Sequence, residues 1–361
     1  MKKQDYESQA TQIPFNEGVS RFIDSELCTF KLFPPPVPSF IEQEIERLYE
    51  NIYCTLGRMQ VYGLEDDALT FISEYDGNIT DIFIFRICGT TASVLNQQIS
   101  IAECRILYFI DTILSLFPKI KVVSFYAIDV EVDATQRLFH KWEALRENVV
   151  TLPDSRSGFD QRLSASFRYS LRNCIRKLHA DFPSFNMRFF SGLDISDDDA
   201  RAVIGLTSQR MAMKGKSGYL NEIDIERIIK ILKKYGMLCV ATIDGKICGG
   251  SLWYAVGRRY MMHIISHDPA YDRYALGNCI NYHTFIYCIE QRGKECWMMG
   301  GNEVHKARFG ATPFKLYSYR FYRSHRNILR YFVDKLSVMT ASLCNKVILK
   351  AATSLRRLQP K

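Results

Sequence analysis

The stretch MLCVATIDGKICGGSLWYAVGRRYMMHIIS, residues 237–266, decides the fold. It holds three apolar runs, Met237–Ile243, Ile247–Val256 and Arg259–Ser266. Asp244-Gly245-Lys246 joins the first two with tight hairpin chemistry, and the third follows Gly257. An apolar helix is predicted over Gly277–Gln291, with Gly293 just past its end, and Glu295–Met298 reads as another strand. A meander followed by a helix and a strand predicts a mixed α/β domain with a largely antiparallel sheet. It does not predict strict β-α-β alternation.

Working outward, Asn186–Ser191 reads as a short strand. Ile195–Met213 reads as a helix whose first turn carries Asp197, Asp198 and Asp199, acids that suit the helix dipole. Ile223–Tyr235 is a second helix ended by Gly236, and Leu316–Tyr322 a last strand. The first half repeats this order on a smaller scale. After Pro34-Pro35-Pro36, with Ser39 as its cap, a helix carries Ile41, Ile45, Leu48, Tyr49 and Ile52 at helical spacing. Ala68–Tyr75 and Ile79–Cys88 form a hairpin across Asp76-Gly77-Asn78, followed by a helix over Ile99–Phe117 and a buried strand over Val122–Ile128. The expected organisation is an irregular lead-in (1–38), a first domain (39–160), a second domain (161–325) and a basic amphipathic helix (326–361).

At 361 residues the chain is long enough for two cores, and 47% hydrophobic with 24% charged residues marks a folded globular protein. No apolar run reaches the ~18 residues of a spanning helix, and MKKQDYESQATQ has no apolar block of the kind a secretory signal peptide needs. None of the eleven cysteines are spaced C-x-x-C, so a reducing cytosol is the expected compartment, with neither disulfides nor zinc. From Lys306 onward thirteen Lys/Arg face Asp334 alone; with a whole-chain balance of +8, the first 305 residues carry a net −4. A basic helix over 326–361 suits an anionic membrane surface or a protein partner. DNA is not an expected partner, because no helix-turn-helix with a basic recognition helix stands out. The sequence contains no G-x-x-x-x-G-K-S/T, G-x-G-x-x-G, G-x-S-x-G or H-E-x-x-H, so the commonest nucleotide, hydrolase and zinc-protease readings lose their support.

The densest chemistry lies in GGNEVHKARFG, residues 300–310. Its glycines allow close approach of a ligand, and Glu303 or His305 is able to take a proton from a nucleophile. Gly277 and Asn278 open a helix whose first amides lack intrahelical partners, an end that attracts phosphate or a polarised carbonyl. His267 lies at the end of the strand before that turn, and His263 lies within the strand. Arg168, Arg172 and Arg176 stand at i, i+4, i+8 on one predicted helix. Such like charges repel, so either the acidic segment Asp194–Asp199 or a phosphate-bearing ligand offsets them.

The string Gly301-Asn302-Glu303-x-His305-Lys306-x-Arg308-Phe309-Gly310 resembles the G-D-E-x-Y-K-x-x-F/W-G signature of FemAB-like acetyltransferase domains in the GNAT superfamily, a group with members encoded near cellulose and exopolysaccharide synthesis loci. The signature's Asp is Asn302 here and its Tyr is His305. The turn Tyr271–Gly277 with its helix, and the strands around Cys248–Trp253, are similar to the same family, over roughly Leu163 to Arg323. The resemblance implies tandem GNAT-like domains and transfer of an acyl group, acetyl first, from acyl-CoA to an amine or hydroxyl. The acceptor it implies is an envelope component or polysaccharide, and no metal is needed. Glu303 is then the expected general base or acceptor-positioning group, with His305 beside it and His267 as a second candidate base. Gly277, Asn278, Arg273 and His263 are expected to hold the donor, and Lys306, Asn302 and Arg308 the acceptor. Two alternatives stay open. A FemAB-type aminoacyl-tRNA-dependent transferase needs a Lys/Arg-lined groove beyond the donor cleft. A non-catalytic, membrane-associated envelope or antimicrobial-resistance factor needs only the basic tail. The expected location is the cytoplasm, at the inner face of the plasma membrane where the tail engages lipid.

Overall fold

The structure, a computed structural model, describes residues 16–23, 26–135, 137–213, 215, 220–301 and 303–329. Strands β1 (Asn16–Ile23) and β2 (Glu26–Phe33) lead into helices α1 (Glu42–Tyr49) and α2 (Leu56–Tyr62). Strands β3 (Leu69–Tyr75), β4 (Asn78–Cys88) and β5 (Thr91–Val94) follow, then helix α3 (Glu103–Leu116) and strands β6 (Val122–Ile128) and β7 (Phe139–Thr151). The second half comprises α4 (Arg156–Arg162), α5 (Ala165–Asp181), β8 (Asn186–Ser191), α6 (Asp197–Met213), α7 (Glu222–Tyr235), β9 (Gly236–Ile243), β10 (Lys246–Val256) and β11 (Arg259–His267). It ends with α8 (Leu276–Glu290), β12 (Glu295–Trp297), α9 (Glu303–Ala307) and β13 (Thr312–Tyr322).

All thirteen strands form one sheet in the order β1-β2-β3-β4-β5-β6-β13-β7-β12-β11-β10-β9-β8. Its pairings are antiparallel except β5–β6 and β11–β12. Each of those parallel pairs is joined by a crossover helix, α3 or α8, so the same meander-helix-strand unit occurs twice. This is the mixed, largely antiparallel tandem architecture that the sequence implied. The expected boundary after residue 160 falls within α4, and the sheet is not divided there. β7 pairs with β12 and β13, whereas β13, the last described strand, lies between β6 and β7.

Local chemistry explains the elements. Both hairpin turns hold two consecutive residues in the left-handed region, Asp76 and Gly77 (φ 50° and 72°) and Asp244 and Gly245 (φ 50° and 74°), as two-residue turns matched to strand twist require. α7 begins in a capping box, Asn221 Oδ1 accepting from the Asp224 amide at 2.9 Å, and buries Ile228, Ile229, Ile231 and Leu232. In β10 the neighbouring glycines serve opposite faces. A Cβ on Gly249 would lie 2.9 Å from Ile280 of α8, and one on Gly250 would lie 2.6 Å from Val203 of α6. Glycine there lets one helix approach on each side of the strand.

Three readings are corrected. Residues 16–23 and 26–33 of the expected irregular lead-in are strands: β1 at the sheet edge, where pairing is carried by backbone groups, and β2 between β1 and β3, with Phe30 and Leu32 in the core. β7 was not legible because Lys141, Trp142 and Glu143 are exposed and its buried part is confined to Glu147–Val150. Short β5 and α2 also escape periodicity. Among the described residues no helix is long and apolar enough to cross a membrane. Of the expected C-terminal helix, residues 330–361 lie outside the described residues.

Candidate acyl-transfer site at the parting of two strands

β11 pairs with β12 only over Arg259–Met261 against Glu295–Trp297, while β11 itself runs on to His267. The cause is local. In the β10–β11 ladder the register shifts between Leu252 and Trp253, which face Ile264 and Met262, leaving His263 as an extra, bulged residue. On the other side, β12 leaves the sheet through Met298, Met299 (φ 62°), Gly300 and Gly301 (φ 87°) into α9. Among the described residues the outer half of β11 therefore has no strand on the β12 side.

α8 begins beside this gap. Gly277 lies under His267: a Cβ there would stand 3.2 Å from its Cε1 and Nδ1. His267 Nε2 lies 2.7 Å from Asp272 Oδ1, and its buried Nδ1 has no hydrogen-bond partner. Asn278 Oδ1 meets His305 Nε2 of α9 at 2.6 Å, a bridge that links the start of α8 to the short helix following β12. Burial lowers the His305 pKa below the ordinary 6.5, helped by the Arg308, Lys306 and Arg210 cations, so the ring is neutral at pH 7.

β11 and α8 also carry buried polar atoms without partners: His263 Nε2, Ser266 Oγ, His267 Nδ1 and Asn281 Oδ1. Buried orphans are rare, and each costs about 1–3 kcal/mol. His263 and Ser266 face α6 on the other side of the sheet, whereas His267 Nδ1 and Asn281 Oδ1 lie on the α8 side and make the border of the gap polar. Asn281 was not among the expected residues. Its signal was a lone amide inside the apolar run Cys279–Phe285.

The other expected residues occupy different places. Lys306 donates to the carbonyls of Met298, Met299 and Gly300 at 2.6, 2.7 and 2.7 Å, so the turn leaving β12 is wrapped around its ammonium. Burial lowers the Lys306 pKa, partly opposed by Glu147, a buried β7 carboxyl that sequence reading passed over and whose own pKa burial raises. Lys306→Met, which leaves three carbonyls unanswered, is expected to lower stability by about 2–4 kcal/mol, read by chemical denaturation. A loss below 0.5 kcal/mol (about the scatter for surface changes) refutes that staple role.

Glu303 points to β7, where its carboxylate lies 3.4 Å from Arg146 Nη1, and Arg146 in turn pairs with Glu143 at 2.9 Å. The Arg308 guanidinium covers the Phe167 ring at 4.4 Å. Arg273 covers Tyr274 at 4.7 Å and lies 3.8 Å from Asp181. His263 packs on Tyr254, ring centroids 5.1 Å apart, on the α6 face of the sheet opposite α8; burial and then Arg58 push it down to about 4. Asn302 lies outside the described residues. The structure thus gathers His267, Gly277, Asn278 and His305 at the start of α8. It sets Glu303, Arg308, Arg273 and His263 against other partners. Among the described residues no group of His, Cys, Asp and Glu is arranged to hold a metal.

A meander, a parting parallel pair and a helix opening at the gap are the features of a GNAT-type fold, present here in the second half of the chain. The comparisons agree. Residues 165–307 match the family described as Acetyltransferase (GNAT) domain, so this part of the chain is an acetyltransferase-type domain. The fold is similar to the crystal structure of FemX, with a TM-score of 0.59 at 10% identity over 81% of this chain and 98% of that one. Two weaker likenesses add nothing to it. One is L-PGS from Bacillus licheniformis (TM-score 0.48, 13% identity, 83% of this chain and 96% of that one). The other is the C-terminal domain of a putative lysylphosphatidylglycerol synthetase from Agrobacterium fabrum (0.45, 12%, 70% and 84%). No curated protein sequence matches the chain.

Proposed function

We propose that the chain moves a short acyl group, acetyl first, from a CoA thioester to an amine or hydroxyl on an envelope component or polysaccharide. The observation that carries this reading is the parting of β11 from β12 beside partnerless buried polar atoms, with Gly277 and Asn278 at the adjoining helix start. In this reading the thioester carbonyl lodges against β11 and is polarised by backbone amides there and at the start of α8. His305, neutral at pH 7, takes the proton of the attacking amine or hydroxyl. Glu303, at the outer rim with Arg146, orients the acceptor. Reaction is by direct attack, with no covalent enzyme intermediate. The basic segment after Arg326 would hold the protein at the cytoplasmic face of an anionic membrane.

Thermal denaturation with acetyl-CoA tests the donor. At 100 times its dissociation constant the ligand is expected to add about 2.7 kcal/mol, and release of CoA thiol should then depend on an added amine or hydroxyl. If acetyl-CoA leaves the melting temperature unchanged while aminoacyl-tRNA raises it, the donor is the one used in part of the FemAB branch, and the CoA reading falls.

A further inference from the structure

The arginine ladder on α5 faces a cleft. Arg168, Arg172 and Arg176 line it together with Arg156 of α4, Asp160, and Tyr282 and His283 of α8, around a volume of about 390 Å³. Asp160 is the one carboxylate in the lining, and it is engaged by the Tyr282 hydroxyl at 2.8 Å. None of the four guanidinium groups makes an ion pair with a described carboxylate. Arg168 donates to the carbonyls of Asp160 and Leu163, at 2.8 and 2.7 Å, and Arg176 to the Asn173 side chain at 2.8 Å. The acidic segment does not answer the ladder either: its Asp197 pairs with Lys233 of α7 at 2.7 Å. The cleft therefore gathers four positive charges with one negative, and burial followed by the Arg156 charge lowers the pKa of His283 beside it.

Three arginines at four-residue steps on a helix stand about 6 Å apart along its axis, a row suited to successive phosphates and not to one carboxylate. Arginine forks bind phosphate oxygens in pairs. The cleft also adjoins the candidate site, because Tyr282 stands one turn beyond Asn278 on α8. At the start of α8 itself the Asn278 amide, the Arg273 guanidinium and one nitrogen of His267 already have partners. Asn278 meets His305, Arg273 lies by Asp181, and His267 Nε2 meets Asp272.

We propose that this cleft, and not the turn before α8, holds the phosphates of a nucleotide-bearing acyl donor, with Arg156, Arg168, Arg172 and Arg176 as their ligands. The proposal rests on the donor reading above, but the shared chemistry is clustered phosphate, supplied either by CoA or by the end of a charged tRNA.

Calorimetric titration of the full chain tests it, with CoA, inorganic pyrophosphate and aminoacyl-tRNA as separate probes against wild type and the double variant Arg172→Gln/Arg176→Gln. Both side chains are exposed, so the unliganded melting temperature should not change. CoA and pyrophosphate are expected to bind wild type in a salt-sensitive way, and the double variant to bind CoA about a hundredfold more weakly. Wild-type CoA affinity retained in the variant overturns the site while leaving the CoA donor standing. Binding of aminoacyl-tRNA but not CoA, lost in the variant, keeps the site and removes the CoA donor. No binding of any of the three probes overturns the site.

Discussion

Replacing His305 with glutamine is expected to slow acyl transfer about a hundredfold or more, within the range a positioned general base contributes. Glutamine still reaches Asn278 with a hydrogen-bonding amide, so α9 should stay docked on α8 and circular dichroism should not change. What is lost is a group that accepts a proton near neutral pH. The pH profile separates this from a structural role. Burial and the Arg308, Lys306 and Arg210 charges lower the His305 pKa, so its ring protonates only below the ordinary imidazole value of 6.5. The rate should fall with decreasing pH through that lowered value, since an imidazolium accepts no proton. Arg308→Gln removes one of the depressing charges, so the acid limb should move up toward 6.5. Glu303→Gln should act mainly on KM for the acceptor. If His305→Gln keeps full turnover, or the acid limb ignores Arg308, the base is another group. Buried Glu147, whose pKa is raised by burial, is then the first to examine.

The parts of this site that were legible in sequence have local causes. The Asp-Gly turns write their geometry into residue type, because few residues tolerate the left-handed backbone there, and the apolar helix after the meander writes its burial into its hydropathy. The cluster at residues 300–310 was legible as chemistry but not as geometry. Nothing in the spacing of Glu303, His305 and Lys306 says that one faces β7, one α8 and one the carbonyls behind it. Those directions follow from a five-residue helix set by the Met298–Gly301 turn, whose shape depends on Asn148 of β7 donating to Met299. That contact joins residues 151 positions apart. The same limit explains the ladder on α5. The repulsion was visible, but its missing counter-charge became evident only when the acidic segment was found on Lys233.

Phe321→Ala is expected to destabilise both halves of the molecule together, by about 3–5 kcal/mol, the usual loss for a buried phenylalanine. Phe321 is fully buried, with Phe125, Phe139 and Tyr319 rings at 6.1, 5.6 and 5.6 Å. It belongs to the first half's core although β13 comes from the end of the second half. β13 pairs with β7 from Thr312 to Phe321 and with β6 from Tyr317 to Tyr322, and the Tyr319 hydroxyl reaches the Val130 carbonyl at 2.6 Å. The first half is therefore incomplete until the second has been traversed, and one continuous sheet should unfold as one unit. The chain supplies its own probe. Its three tryptophans are Trp142, Trp253 and Trp297, on β7, β10 and β12, and the first half's core holds none. Trp142 lies on β7 beside β13, so with Trp142→Phe as the background in which every variant is made, Trp253 and Trp297 fluorescence reports the second half, while far-ultraviolet circular dichroism reports both. In that background the two signals should share a midpoint, and Phe321→Ala should move them together. A variant whose fluorescence midpoint stays in place while circular dichroism shows an earlier step would mean two independently folding units. The strand exchange would then be a packing contact and not the element that makes the sheet cooperative.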